Sequence, residues 1–300
     1  MKKHIPLSHL KKGWPMIWTI FAKLYALFVF FMEKHFNINL RGLGFILRRI
    51  KIDHTINVQG RRYYFYPKAA SMYSLLIAGK FPEPETHLFF SKVIPRTYTK
   101  IGFIDVGAAV GEMVIDIAGY ENIDNVIAFE PDMNLAKSCR LSAAINKYDN
   151  VTIIPKAVAD KIKTVNFRFA KGRGISGSIS EREDNGTEKI VCTTLDNEIQ
   201  PRSDLEYLVL IDVEGAEPLV LKGGTEFIKR KLPLIIFEYN SGKNCRLSEI
   251  TEILGPQYEI YRLRNDGHLD RNFDKAWNCV AVCKNSTFHP ICQSILLKRP

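Results

Sequence analysis

From Ile101 onward, short apolar runs alternate with amphipathic stretches, a pattern that predicts a mostly parallel sheet with helical crossovers. Runs at 102–106, 125–129, 151–154, 207–212 and 233–238 are rich in Val, Ile, Leu and Phe, as strands buried on both faces are. Between the third and fourth runs, 165–169 and 189–192 are strand-like and flank a polar loop reaching from Gly172 to Gly186. That stretch reads as an inserted hairpin; its glycines open no helix, so it does not read as a phosphate loop. Near the end, 258–263 and 277–282 alternate and are joined through Asn265-Asp-Gly267, which predicts a terminal antiparallel hairpin. Upstream, 55–66 predicts another hairpin turning at Gln59-Gly60 or Gly60-Arg61. Helical pieces over 71–94 are interrupted at Phe81-Pro-Glu-Pro84.

The apolar run 14–32 stands apart. It holds one charge, Lys23, and as a helix would reach about 28 Å, the lower limit for crossing a bilayer. Lysines and arginines lie on both sides of it, so no orientation follows, and no small-residue cleavage site ends it. An interfacial helix is the expectation, with Lys23 snorkelling and Trp14 and Trp18 at headgroup level. A single span and a helix packed on the domain are the alternatives. Charge follows the same division. Residues 1–100 carry 17 Lys+Arg against 4 Asp+Glu (+13), the rest 25 against 28 (−3), which together make the chain's +10. A basic segment beside an apolar one suits an anionic membrane surface. Nucleic acid would need its basic residues at the cleft, interleaved with aromatics, and is not expected as a partner.

The densest chemistry sits in Phe103-Ile-Asp-Val-Gly-Ala-Ala-Val-Gly111 followed by Ile127-Ala-Phe-Glu-Pro131. A strand, a glycine turn, a helix and a second strand ending in an acid place the turn and Glu130 at adjacent carboxyl ends, where open α/β sheets bind nucleotide-like ligands. Gly107 and Gly111 permit a sharp turn and a close approach to a ligand. Glu130 would accept hydrogen bonds from two ribose hydroxyls.

Five further segments follow in order: Asn125-Val-Ile-Ala-Phe-Glu-Pro131, Thr194-Leu-Asp196, Leu210-Ile-Asp-Val-Glu-Gly-Ala-Glu217, Leu221-Lys-Gly-Gly224 and Leu234-Ile-Ile-Phe-Glu238. With Asp105-Val-Gly-Ala-Ala-Val-Gly111, and with Gly79-Lys-Phe-Pro-Glu-Pro-Glu85 ahead of it, this set resembles the FkbM-type methyltransferases over roughly residues 75–285. The resemblance implies a Rossmann-like class I methyltransferase fold: α/β, a mostly parallel sheet, a C-terminal antiparallel hairpin. It also implies S-adenosylmethionine as donor. One departure is Ala109, where the family usually carries Asn.

The chain then divides into an apolar and basic helical segment (1–50), a hairpin and helical lead-in (51–100), the methyltransferase domain (101–285) and a tail (286–300). The donor's amino-acid end and sulfonium are expected beside Asp105, Gly107, Ala108 and Gly111, its ribose on Glu130 next to Pro131, and its adenine between Ala157 and Val158. Methyl transfer to a hydroxyl needs alignment and a base. Asp212 is the expected base or orienting acid, with Glu214 supporting it and Glu238 lining the acceptor pocket. Glu217 reads as an acid complementing a helix start. Clustered carboxylates would also suit a divalent cation, so metal use stays open. His87 lies nearest the acceptor side, but a lone His in a helix is more often a core or surface residue. The six cysteines show no metal spacing and suit a reducing cytosol.

A sugar hydroxyl on a glycolipid or polysaccharide precursor is the expected acceptor, with a small-molecule or macrolide hydroxyl as the alternative. The domain is expected in the cytoplasm, where the donor is made, attached to a membrane through 14–32. A nicotinamide-dependent (NAD) oxidoreductase would share the turn and acid but would prefer Gly at 109. A catalytically silent, membrane-associated binding module is the third reading.

Overall fold

The computed structural model describes residues 54–65, 81, 83–169, 177–180, 187–242 and 245–297, together with the helical positions Leu24, Phe28 and Met32. The apolar run 14–32, the basic stretch 41–49, residues 66–80 and the loop residues 170–176 and 181–186 otherwise lie outside the described residues. Leu24 and Phe28, one helical turn apart, are exposed. Among the described residues no helix is long and apolar enough to cross a membrane.

An eight-stranded sheet organises the chain. Its parallel part comprises β3 (Lys100–Val106), β4 (Ile123–Phe129), β5 (Val151–Ile154), β10 (Leu205–Ile211) and β11 (Leu234–Glu238), in the spatial order β5-β4-β3-β10-β11. β14 (Asn278–Cys283) continues the sheet antiparallel to β11, and β12 (Tyr258–Leu263) lies outside it beside the two-residue β13 (Leu269–Asp270). The expected terminal hairpin is therefore present, but its second strand is inserted between β11 and the first. The central strands carry the uninterrupted apolar runs that burial on both faces demands.

Successive side chains along each strand feed two different cores. Phe103, Leu208, Leu210, Leu234, Ile236, Val280 and Val282 face one; Ile104, Val106, Val209, Ile211, Ile235, Phe237 and Ala281 face the other. The first core is closed by α1 (Pro84–Val93), α2 (Glu112–Ile117), α3 (Met133–Asn146) and α8 (Phe288–Ser294). The second is closed by α4 (Leu195–Glu198), α5 (Glu217–Lys222), α6 (Thr225–Lys231) and α7 (Leu247–Leu254). Each fully buried Leu, Ile or Phe contributes about 1.5–3 kcal/mol, so these layers hold the sheet edge rigidly. Within residues 286–300, α8 packs Phe288 and Cys292, with Ile295 after it, into the first core.

The insertion between β5 and β10 is larger than a hairpin. β7 (Lys163–Phe169), β8 (Gly177–Ser180) and β9 (Thr187–Thr193) form an antiparallel sheet, and β6 (Ala157–Val158) joins it beside β9.

The predicted upstream hairpin is β1 (His54–Val58) and β2 (Arg61–Phe65), turning through Gln59 and Gly60 at φ 50° and 82°. Positive φ at both turn residues matches the twist of the strands. β2 docks on α3 through side chains at four-residue spacing. Ser142 Oγ accepts the Tyr64 N–H at 2.8 Å, Ser138 Oγ donates to the Tyr64 carbonyl at 3.2 Å, and Asn146 Oδ1 accepts the Arg62 N–H at 2.9 Å. The stripe supplies the hydrogen bonds that a strand edge otherwise lacks. Ser142→Ala leaves the buried Tyr64 N–H unpaired and is expected to lower unfolding free energy by about 1–3 kcal/mol in urea titrations, with an unchanged slope.

Candidate active site

Four acids end four neighbouring strands or stand just beyond them: Asp105 in β3, Glu130 after β4, Asp212 after β10 and Glu238 closing β11. All lie at the carboxyl edge of the parallel sheet, and strand order reverses at β3, the topological position where such sheets bind ligands.

The turn after β3 is built from backbone strain that Glu130 offsets. Gly107, Ala109 and Gly111 have φ of 95°, 47° and 81°. Gly107 and Ala108 donate to the Phe129 carbonyl, each at 3.0 Å, and Gly111 donates to Ala108 at 2.7 Å. One Glu130 oxygen accepts the Ala109 N–H at 2.9 Å, the other the Asp132 N–H at 2.7 Å. Each keeps a second lone pair. Asp132 in turn caps α3 through the N–H groups of Asn134 and Leu135, and Pro131 spaces the two acids.

The glycines also answer a packing demand that the sequence does not show. A Cβ at Gly107 would stand 1.9 Å from the Asp212 carbonyl oxygen, and one at Gly111 would stand 2.2 Å from Cys139 Sγ. They let the turn seat on β10 and α3, so close packing within the protein already demands both glycines. Ala109 holds a left-handed conformation that Asn tolerates better than Ala. Its contribution to the site is the backbone N–H, so the departure from the family leaves that contact intact.

The segment after β10 is also strained. Glu214 and Gly215 have φ of 54° and 102°, and one Glu217 oxygen accepts the N–H groups of Gly215 (3.1 Å) and Val213 (3.3 Å). Glu217 is fully buried. Beyond its place at a helix start, it fixes the loop that carries Asp212.

Two helices add acids that sequence spacing alone did not single out. Glu83, ahead of α1, accepts from Asn278 Nδ2 at 2.9 Å and Thr86 Oγ1 at 3.3 Å, and Asn278 stands in register with Glu238. Glu112 opens α2 and meets His87 Nε2 at 3.1 Å. Asp116, whose other oxygen meets Arg61 Nε at 2.8 Å, holds the second nitrogen of His87 at 2.6 Å, and Phe81 stacks on the ring at 3.7 Å. His87 is thus a buried bridge between α1, α2 and β2, not an acceptor contact. Burial opposes its charge, yet hydrogen bonds and attraction from both carboxylates leave its pKa raised.

Crowded carboxylates in a dry setting hold their protons. Burial, then the charges of Glu130, Glu83 and Glu112, pushes Asp105 up to about 8. Burial lifts Glu130 to about 7, against the pull of its two backbone donors. Asp212 stands well above the carboxylate range through desolvation and then Glu83, Glu238, Glu214 and Glu217. Asp105 is 2% exposed and has no hydrogen-bonding partner among the described residues.

The remaining predicted positions are less central. Glu214 is exposed beside Asp212. Val158 is buried in the second core and Ala157 is half-buried, both paired with β9. Among the described residues no three His, Cys, Asp or Glu side chains are grouped to hold a metal ion.

A family model described as the methyltransferase FkbM domain matches residues 105–263, just over half the chain. The matched stretch begins at Asp105 and ends with β12. No curated protein matches the sequence. Among solved structures, the chain is similar to methyltransferase FkbM from Methylobacillus flagellatus KT (17% identity, TM-score 0.43, covering 71% of this chain and 52% of that one). The chain thus spans about half of that protein's length. It is also similar to M. jannaschii TYW2 in complex with AdoMet (11%, 0.41, 77% and 84%) and to an rRNA methylase from Streptococcus thermophilus (13%, 0.41, 69% and 98%).

Two outcomes follow from the geometry. Acids with raised pKa bind more protons folded than unfolded, so their contribution is complete below about pH 4 and is lost as pH rises through 7 to 8. The melting temperature of the donor-free protein should therefore fall between pH 6 and about 9, with a shallower slope in Asp105→Asn. Ala109→Gly should relieve the strained φ and stabilise the protein by up to about 1 kcal/mol in chemical denaturation, opposite in sign to the usual effect of that exchange.

Proposed function

This chain belongs to the FkbM methyltransferase family, and from that premise we propose that it methylates a sugar hydroxyl of a glycolipid or polysaccharide precursor with S-adenosylmethionine as donor. The observation that carries the donor assignment is the unpaired, proton-holding Asp105 beside the Glu130-locked turn. The donor supplies a methyl group on a cationic sulfur, a leaving group that departs as a neutral thioether.

Asp105 and the turn through Ala108–Gly111 suit the donor's cationic amino-acid end. Glu130 offers its free lone pairs to the ribose diol, and Pro131 keeps that carboxylate from turning away. Ala157, half-buried, is the better of the two candidates for the adenine edge. Positive charge among these carboxylates favours their ionised forms, so donor and protons compete for one edge of the sheet.

Asp212 then acts. Without a cation its proton is retained; positive charge beside it would lower its pKa and let it take the hydroxyl proton of the acceptor. The loop pinned by Glu217 holds Asp212 in line, and alignment is most of the catalysis in such a displacement. Glu83, Glu238 and Asn278 border the acceptor side. Glu214 adds negative charge near Asp212. No residue group on the described surface calls for a metal in this scheme.

The sugar acceptor rests on the family resemblance and on the proposed seating of residues 14–32 at a membrane surface, with the domain in the cytoplasm. The exposed helical Leu24 and Phe28 suit that seating.

Calorimetry with S-adenosylmethionine tests the donor site. Affinity should rise with pH toward 8, by roughly tenfold per unit where a single proton is displaced. Glu130→Ala should abolish binding; unchanged affinity would rule out the ribose role. Asp212→Asn should leave donor affinity within a few-fold and cut turnover by roughly 10²–10⁴.

A further inference from the structure

At the carboxyl edge of the sheet, on the far side of β11 from the donor turn, a cavity of about 360 Å³ opens between α1 and the turn joining β12 to β13. Its walls include Glu85, Arg262, Arg264, Asp266, Lys275 and Trp277, with Asn265 in the turn between them. The volume suits a small molecule of one or two rings. We propose that this cavity is a glycosyl subsite, which seats one pyranose ring of the acceptor on Trp277 and bonds its hydroxyls with Glu85, Asn265, Asp266 and Arg264. The assignment deepens the methyltransferase reading and rests on it for the direction in which the bound sugar points.

Position is the first reason. The carbonyl of Trp277 accepts the N–H groups of Tyr239 (2.8 Å) and Asn240 (2.9 Å), immediately after Glu238. The next residue, Asn278, is buried and bonded to Glu83, two residues before Glu85. Trp277 and Glu85 are thus each within two residues of groups that border Asp212 and its neighbours. Gly267 fastens the β12–β13 turn to α1, since a Cβ there would stand 2.9 Å from Leu88 Cβ. The cavity is framed by backbone that cannot shift freely.

Chemistry is the second. Trp277 is half exposed, an indole left at a polar rim. A pyranose ring has an apolar C–H face that stacks on such a surface and a perimeter of hydroxyls that both donate and accept. The walls supply both kinds of partner; Asp266 accepts the His268 N–H at 3.1 Å, while others are uncommitted. Among the described residues Glu85, Asn265 and Lys275 have no polar partner, and Arg264 lies 3.5 Å from Asp266 and 3.6 Å from Asp270, too long for strong hydrogen bonds. Arg262, by contrast, is spent on Asp270 at 3.2 Å and on the Asp274 carbonyl. With acids and cations intermixed, the cavity lacks the concentrated positive field that a phosphate would select. Its polar walls do not suit a macrolide face.

Saturation-transfer NMR on the full chain with methyl glycosides of glucose, mannose and rhamnose tests the subsite, with donor calorimetry run on the same samples. At least one glycoside should bind, Trp277→Ala should weaken it by roughly tenfold or more, and Trp277→Phe should retain most of the affinity. Both variants should bind S-adenosylmethionine as the unaltered chain does, which also reports that they are folded. Absence of glycoside binding by a chain that binds the donor, binding indifferent to Trp277→Ala, or preferential displacement by inorganic phosphate would each overturn the subsite. Trp277-dependent glycoside binding without donor binding would sustain the subsite and sink the methyl-transfer reading.

Discussion

Crowding of buried and half-buried carboxylates, desolvated first and repelling one another second, governs this edge of the sheet. Asp105, Glu130, Asp212 and Glu238 stand at the ends of four adjacent strands, and Glu83 and Glu112 close in from the helices. Water screens them poorly, so each ionised neighbour makes the next harder to ionise. Such a group is tolerable only if the surrounding fold is stable enough to hold it. The two apolar cores, fed by alternate residues of the same strands, provide that stability.

Arg61 shows how tightly cations are allocated nearby. It is bonded to Asp116, which holds His87, which reaches Glu112 at the margin of the acidic edge. The upstream hairpin is therefore joined to the site by a chain of charged hydrogen bonds, besides its docking on α3. Positive charge stops there. Among the described residues no Lys or Arg hydrogen-bonds to Asp105, Glu130 or Asp212, an arrangement suited to a ligand that brings its own cation. The same crowding keeps the proton on Asp212 in the absence of positive charge.

The acceptor side is built on different terms. Beyond β11 the walls mix signs and carry an exposed indole, and only Arg264 and Asp266 among them pair, at 3.5 Å. Insertion of β14 between β11 and β12 creates this contrast. It brings Trp277 and Asn278 to the carboxyl edge and carries the β12–β13 turn outward, leaving room between that turn and α1.

Strand periodicity, turn chemistry and motif order were enough to determine the parallel core, the upstream hairpin, the acids at strand ends and the family, because each depends on residues close in sequence. The expectation for Ala109 was also legible as a departure, though its consequence was not, since only the backbone shows that position 109 acts through its N–H. Contacts between distant segments were decided by tertiary structure alone. Gly107 is forced by the Asp212 carbonyl and Gly111 by Cys139, neither a neighbour in sequence. Glu83 and Glu112 joined the site through helix placement, His87 proved a bridge, and β14 slipped between β11 and β12. The physical reason is common to all of them. Local pattern specifies what a segment can form and which face it buries, while the partner that face meets depends on how the layers close.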